Sequence, residues 1–252
     1  DHTVGQAGPL QKLTPMFLLS YKKDEWIFRA FHKRIFRAPT LNDLYYTLVG
    51  NTKLNPEYTS QWDAGIDYKG KRFHFAVDGY YSHIDDKIVA IPMKCQFRWS
   101  MVNFGKVKSY GASFSGGYNQ DWGKFSLAAN ANYTYQIDKD YTMPSDPEYK
   151  NYIPYSPMHS GSVILDLGYD SYSLCTSFLY TGERFALVSN NADDLLGDWY
   201  TIDLKLNKRF KIGKYVLQTT LECNNLTDSR HEVVKRYPMP GRNWKCTVKF
   251  EL

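Results

Sequence analysis

The chain has 252 residues, a net charge of +5 and 43% hydrophobic residues, enough for one large β domain or two smaller ones. Its mean hydropathy is −0.50, and no apolar run approaches the roughly 20 residues that a helix needs to cross a bilayer, so a helical membrane protein is excluded. The basic residues are spread over many segments, without a cluster interleaved with ordered aromatics and without zinc-ligand spacing, so nucleic acid is not an expected partner.

Strand-like segments fall near 15–22, 25–38, 57–69, 72–90, 104–119, 124–138, 158–169, 171–185, 199–212, 214–226 and 241–252. Helical periodicity of useful length is missing. Side chains of a strand alternate between faces. In the third segment Trp62, Ala64, Ile66 and Tyr68 oppose Gln61, Asp63 and Asp67. In the sixth, Phe125, Leu127, Ala129, Ala131, Tyr133, Tyr135 and Ile137 oppose Ser126, Asn130, Asn132, Thr134 and Gln136. In the ninth, Tyr200, Ile202, Leu204, Leu206, Phe210 and Ile212 oppose Thr201, Asp203, Lys205, Asn207, Arg209 and Lys211. Lys208 interrupts that apolar face near one end, where a lysine can snorkel to a membrane interface. The last segment sets Trp244, Cys246, Val248 and Phe250 against Lys245, Thr247 and Lys249.

The same two-faced pattern recurs along nearly the whole chain and leaves no room for a conventional core. Aromatic residues make up 16% of it, with 21 tyrosines, which suits a membrane interface. Short turns (Lys22–Glu25, Lys69–Lys71, Gln120–Gly123, Asp170, Gly213) alternate with long loops (Pro39–Pro56, Pro92–Asn103, Asp138–Pro157, Ala186–Asp198, Thr227–Pro240). Short periplasmic turns and long extracellular loops describe an outer-membrane barrel. The expected fold is therefore all-β, an antiparallel transmembrane β-barrel with lipid outside. About eleven strands is an odd count, and an open sheet of that length exposes two edges. The chain is thus expected to be the C-terminal half of a larger barrel of about 22 strands.

Three stretches carry a family resemblance. FRAPTLNDLYY (Phe36–Tyr46) and GNTKLNPEYTSQWDAGIDY (Gly50–Tyr68) come first. NNLTDSRHEVVKRYPMPGRNW (Asn224–Trp244) closes the set. Together with Asn103-Phe104-Gly105 ahead of a strand entering at Val107, and IPYSPMH (Ile153–His159) ahead of another, they resemble the barrel of TonB-dependent outer-membrane receptors. The resemblance implies a barrel filled by an N-terminal plug domain, which with the first strands lies outside this chain. It implies uptake of a scarce nutrient such as an iron-siderophore, haem, cobalamin or a glycan. The partners implied are the plug, the TonB-ExbB-ExbD complex acting through it, outer-membrane lipid, the barrel assembly machinery and a surface lipoprotein.

No nucleophile elbow, P-loop or HExxH motif is present, so no catalytic residue is assigned. The six histidines are scattered, and His83 with Asp85 and Asp86 reads as a strand end rather than a metal site. No cofactor is expected. The four cysteines lack CxxC spacing and read as free thiols, although Cys223 and Cys246 fall on neighbouring strands. Arg29, Arg37, Asp63, Asp67, Asp203, Lys205 and Arg209 are expected on the lumen side, facing the plug, with Lys33, Lys245 and Lys249 on the same side. Arg37 and Arg242 are expected to meet carboxylates of the wall or plug. Cargo contacts are expected on the long loops, from Tyr45, Tyr46, Trp99, Tyr149, Tyr152 and Tyr155, since binding groups concentrate on loops over a rigid scaffold. Two other readings stay open: a passive porin-like channel, and a soluble β-rich binding domain.

Overall fold

The computed structural model describes residues 12–92, 98–213 and 215–251. Its strands are β1 (Met16–Lys23), β2 (Trp26–Arg37), β3 (Glu57–Lys69), β4 (Phe73–Pro92), β5 (Trp99–Trp122), β6 (Phe125–Asp140), β7 (His159–Tyr169), β8 (Tyr172–Thr181), β9 (Arg184–Phe185), β10 (Leu195–Leu196), β11 (Trp199–Ile212), β12 (Tyr215–Asn224), β13 (Glu232–Val234), β14 (Tyr237–Pro238) and β15 (Asn243–Glu251). One short helix, α1 (Leu41–Tyr45), sits between β2 and β3. Eleven strands form one antiparallel sheet in the order β1-β2-β3-β4-β5-β6-β7-β8-β11-β12-β15. The remaining four form two small ribbons inside the long connections.

The register carries one parity across the sheet. Phe28 lies opposite Ile66, which lies opposite Val77, then Phe114, then Tyr133. Farther along, Leu206 lies beside Leu174 and Leu221. These side chains are open on the outer face: Ile66 is 39% exposed, Val77 44% and Leu206 46%. A contiguous apolar face of this extent is what lipid covers. Lys208 on that face ends beside Ser171, its Nζ donating to the hydroxyl at 2.8 Å and lying 3.3 Å from the centre of the Tyr172 ring, at the short-turn edge. Its charge thus leaves the apolar band.

The short turns are built from residues that accept the left-handed region. Asp24 and Asp170 sit at φ of about +52 and +53, where a short polar side chain is tolerated, and Gly123 and Gly213 at +61, where lack of a Cβ removes the clash. The long connections all emerge at the opposite edge. Several boundaries differ from the sequence pattern. β4 and β5 run on as a paired hairpin to Pro92 and Trp99, so Asn103 lies inside a strand rather than ahead of one. The segment expected as one strand over 171–185 ends at Thr181, and Arg184–Phe185 pairs with Leu195–Leu196 instead.

The wall has no conventional core, but the loop layer has two small ones. Asp86 takes a φ of +54. Beyond it the side chains packed with Ile84 and Val107 change parity, to Val89 and Ile91 in β4 and Val102 and Phe104 in β5. Ile153 and Val188 of two other loops close over this set. On the opposite side of the hairpin, Ile88 and Met101 pack with Leu44 of α1 and Leu54. Thr40 fixes the start of α1 through a reciprocal capping box with Asp43. Sequence periodicity does not show this layer, because its apolar residues come from four separate connections.

The outward assignment has a direct check. Leu204→Arg places a charge on the outer face midway along β11, and should lower folding stability in bilayers by roughly 2–4 kcal/mol. The measurement is reversible unfolding of the bilayer-inserted protein; a change within error would contradict lipid contact at that face.

Candidate functional site

The inner face is polar and its charges are largely matched. Arg29 donates to Asp67 at 2.9 Å and to Asp78 through two nitrogens at 2.5 and 3.1 Å. Gly65 of β3 lies between them in the register, and a Cβ there would collide with the Asp78 carboxylate. The glycine opens the lane through which the guanidinium reaches across a strand. Asp63 is on the same face, with one carboxylate oxygen buried and without a hydrogen-bond partner. Glu222 sits between Lys205 (3.4 Å) and Lys245 (3.5 Å). Asp203 accepts the Asn225 backbone N–H at 2.7 Å. Arg209 makes no ion pair among the described residues. Arg37, at the long-loop end of β2, reaches Asp43 at 3.3 Å and Glu57 at 3.6 Å. The Arg242 guanidinium meets the Leu226 carbonyl at 3.3 Å.

The loop aromatics do not form one cluster. The Trp99 and Tyr155 rings meet at 5.5 Å, tilted by 36°. Tyr152 stacks on Phe185 at 6.1 Å, with the Lys139 ammonium 4.5 Å from its ring centre, and Tyr149 meets Tyr141 edge-on. Tyr45 and Tyr46 stand apart at the end of α1 and are 56% and 63% exposed. Trp99, Tyr152 and Tyr155 are engaged with rings from other segments, and Tyr149 with Tyr141 of its own connection.

Sequence reasoning missed the group that organises the loops on the β11 side. Arg184 is 5% exposed and makes no ion pair with a carboxylate among the described residues. It donates to the backbone carbonyls of Glu232 (2.6 Å), Val233 (3.1 Å), Gly182 and Gly197 (both 3.4 Å). Burial lowers its pKa from the ordinary arginine value. The nearby Tyr155 hydroxyl is pushed up, mainly by burial, against a lowering contribution from a hydrogen bond with the Lys235 backbone. Lys235 Nζ pairs with buried Asp194 at 2.9 Å, and Trp199 stacks on His231 at 4.2 Å. Carbonyl partners nearly fifty residues away leave no signal in a sequence.

Cys175, Cys223 and Cys246 are free, and Cys95 lies outside the described residues. His83 Nε2 stands 3.4 Å from Asp85, whereas the Asp86 side chain accepts from Asn55. No group of three or more metal-ligating side chains occurs among the described residues.

An eleven-stranded antiparallel wall, apolar outside and charged inside, with short turns at one rim and interlocked loops at the other, defines an outer-membrane β-barrel protein. Residues 2–226 match the family described as TonB dependent receptor-like, beta-barrel, and the chain belongs to that family. It is a multi-pass outer-membrane β-barrel chain. It is 22% identical over 220 residues to the vitamin B12 transporter BtuB of Vibrio vulnificus (strain YJ016), covering 85% of this chain and 33% of that protein. The fold is similar to the ferric citrate transporter FecA (TM-score 0.70, 16% identity, 92% of this chain and 37% of the other). It is also similar to the copper transporter OprC (TM-score 0.69, 16% identity, 92% and 38%). The chain spans about a third of the length of these relatives.

Replacing Arg184 with Met should leave buried carbonyls without donors and cost roughly 1–3 kcal/mol locally. Hydrogen exchange over residues 182–198 and 229–240 should accelerate while the strand amides stay protected. Unchanged exchange in both loops would mean that Arg184 does not hold them.

Proposed function

We propose that this chain is the C-terminal half of the wall and extracellular loops of a TonB-dependent transporter of about 22 strands, which takes up a scarce nutrient across the outer membrane. The observation that carries the reading is the eleven-stranded sheet with both edges, β1 and β15, paired on one side only among the described residues. Unpaired backbone groups in lipid are too costly to persist, so these edges call for further strands to complete a cylinder. A lumen of that width has to be filled to stay selective, and the inner-face carboxylates and cations give a plug something to dock on. Arg209 and the unsatisfied Asp63 oxygen are wall groups that stand to gain from it.

In this reading the plug precedes the chain in the same polypeptide, receives TonB-ExbB-ExbD from the periplasm and moves when pulled. The barrel assembly machinery inserts the wall, and the exposed loop rim offers a place for a surface lipoprotein. The cargo is a nutrient too large for passive diffusion. The relatives are named as transporters of vitamin B12, ferric citrate and copper, which supports a metal-containing cargo and makes cobalamin and ferric siderophores the first to try. Tyr45 and Tyr46 present flat amphipathic surfaces suited to it.

The test is accumulation of labelled cobalamin and ferric siderophores by cells carrying the full-length protein, with and without the inner-membrane proton gradient. Uptake that needs the gradient is expected. Gradient-independent flux, with steady conductance in planar bilayers, would make the protein a passive channel. Replacing Tyr45 and Tyr46 together by Ala should weaken cargo binding at least about tenfold, the loss usual for aromatic anchors, without changing expression.

A further inference from the structure

The lipid-facing wall carries a serine–histidine pair that the uptake reading does not use. Ser60 of β3 and His32 of β2 share the outer face with Phe28, Trp62 and Ile66. Ser60 Oγ stands 3.0 Å from His32 Nε2. With the imidazole proton on Nδ1, Nε2 accepts from the Ser60 hydroxyl, the arrangement that turns a serine into a nucleophile. The His32 ring packs on the Trp62 ring at 4.7 Å, which fixes its plane. Register surrounds the pair with further groups: Arg34 lies opposite Ser60 on one side and His83 on the other, and the line runs on through Lys108 to Lys139. Arg34 makes no ion pair among the described residues. His83 is turned to Asp85 at 3.4 Å, so His32 is the imidazole bonded to Ser60. A groove of about 750 Å³ is lined by Ser60, Arg34, Tyr58, Trp62, Tyr81 and His83, so the hydroxyl opens into a concavity.

A second observation concerns the wall toward the short turns. His32, Trp62, Tyr81 and Tyr110 form one row across four strands. Aromatic side chains of this kind mark the membrane interface. Ser60 is two residues beyond it, at the depth where lipid ester bonds and water meet. The next row toward the short turns reads Ala30, Ala64, Gly79 and Ala112, all exposed. The row after that is large again: Phe28, Ile66, Val77 and Phe114. Small side chains between two rows of large ones leave a furrow, and a Cβ added at Gly79 would meet nothing within 4 Å. Ala64 lies four residues from Ser60, roughly 13 Å along the strand, within the length of a lipid acyl chain.

We propose that Ser60 and His32 hydrolyse an acyl ester of a membrane lipid whose chain lies in the Ala30–Ala112 furrow. Ser60 Oγ attacks the ester carbonyl carbon while His32 Nε2 takes its proton. The bond from that carbon to the lipid alcohol oxygen breaks, and His32 returns the proton to the departing oxygen. Water then adds to the acyl-serine, His32 again taking a proton and giving it to Ser60 Oγ as the bond to the acyl group breaks. The products are a fatty acid and a lysolipid. Arg34, opposite Ser60, is the donor placed to meet the oxyanion. The site is on the outer surface and is independent of what the transporter carries.

The experiment uses the full-length outer-membrane protein purified in detergent. A fluorophosphonate probe, which adds covalently to activated serines, is mapped by peptide mass spectrometry, and fatty-acid release is followed from phosphatidylethanolamine in mixed micelles. Wild-type protein should carry the adduct on Ser60 and release fatty acid. Ser60→Ala should lose both, and His32→Gln should slow release at least about a hundredfold, the usual contribution of a general base. His83→Gln should keep most of the rate. Ala64→Leu fills the furrow, and should raise KM for the long-chain lipid while leaving hydrolysis of a butyrate ester unchanged. An unlabelled Ser60 in the wild type overturns the proposal without reference to any variant, so a variant that fails to fold does not protect it. Release that persists in folded Ser60→Ala overturns it too, and assigns the activity to a contaminating lipase.

Discussion

A backbone amide or carbonyl in a bilayer finds no water to bond, so each must be paired within the protein. The architecture of the wall depends on that constraint. It makes the wall a continuous antiparallel ladder from β1 to β15 and forbids irregular backbone within it. Because neighbouring strands pair residue against residue, one parity is kept across eleven strands. A shift of a single residue would put Asp63, Asp67 and Arg29 into lipid and Trp62, Ile66 and Phe28 into the lumen.

Charge follows the same division. On the lumen side, where polarity is cheap, cations and carboxylates gather into small matched groups such as Arg29 with Asp67 and Asp78. The matching needs more than alternation: it needs Gly65, whose missing side chain lets a guanidinium cross from β2 to β4. On the lipid side cations are confined to the two rims. Lys208 folds back on Tyr172 at one, and the basic line from Arg34 to Lys139 occupies the other.

The loop layer obeys different rules, since water can reach it. Here the protein behaves like a small soluble domain. The β4–β5 hairpin rises out of the wall and is packed on both sides by apolar residues from other connections. A buried arginine satisfied by carbonyls gathers the connections between β8 and β15. The result is a firm rim, with Tyr45 and Tyr46 left projecting from it.

Much of this was legible in the residues themselves. Alternation fixed the strands and separated the apolar face of the sheet from the charged one that carries Arg29 and Arg209, because a period of two is a local property. The FRAP and closing segments identified the family for the same reason: they are contiguous. What the tertiary structure alone decided was everything made between distant segments. The extension of β4 and β5 past Asp86, the ring contact that engages Trp99 with Tyr155, the clamp at Arg184 and the alignment of Arg34 with Lys139 each join residues through register or loop packing. Sequence order determines which face a side chain takes in its own strand; only pairing of strands determines what stands beside it.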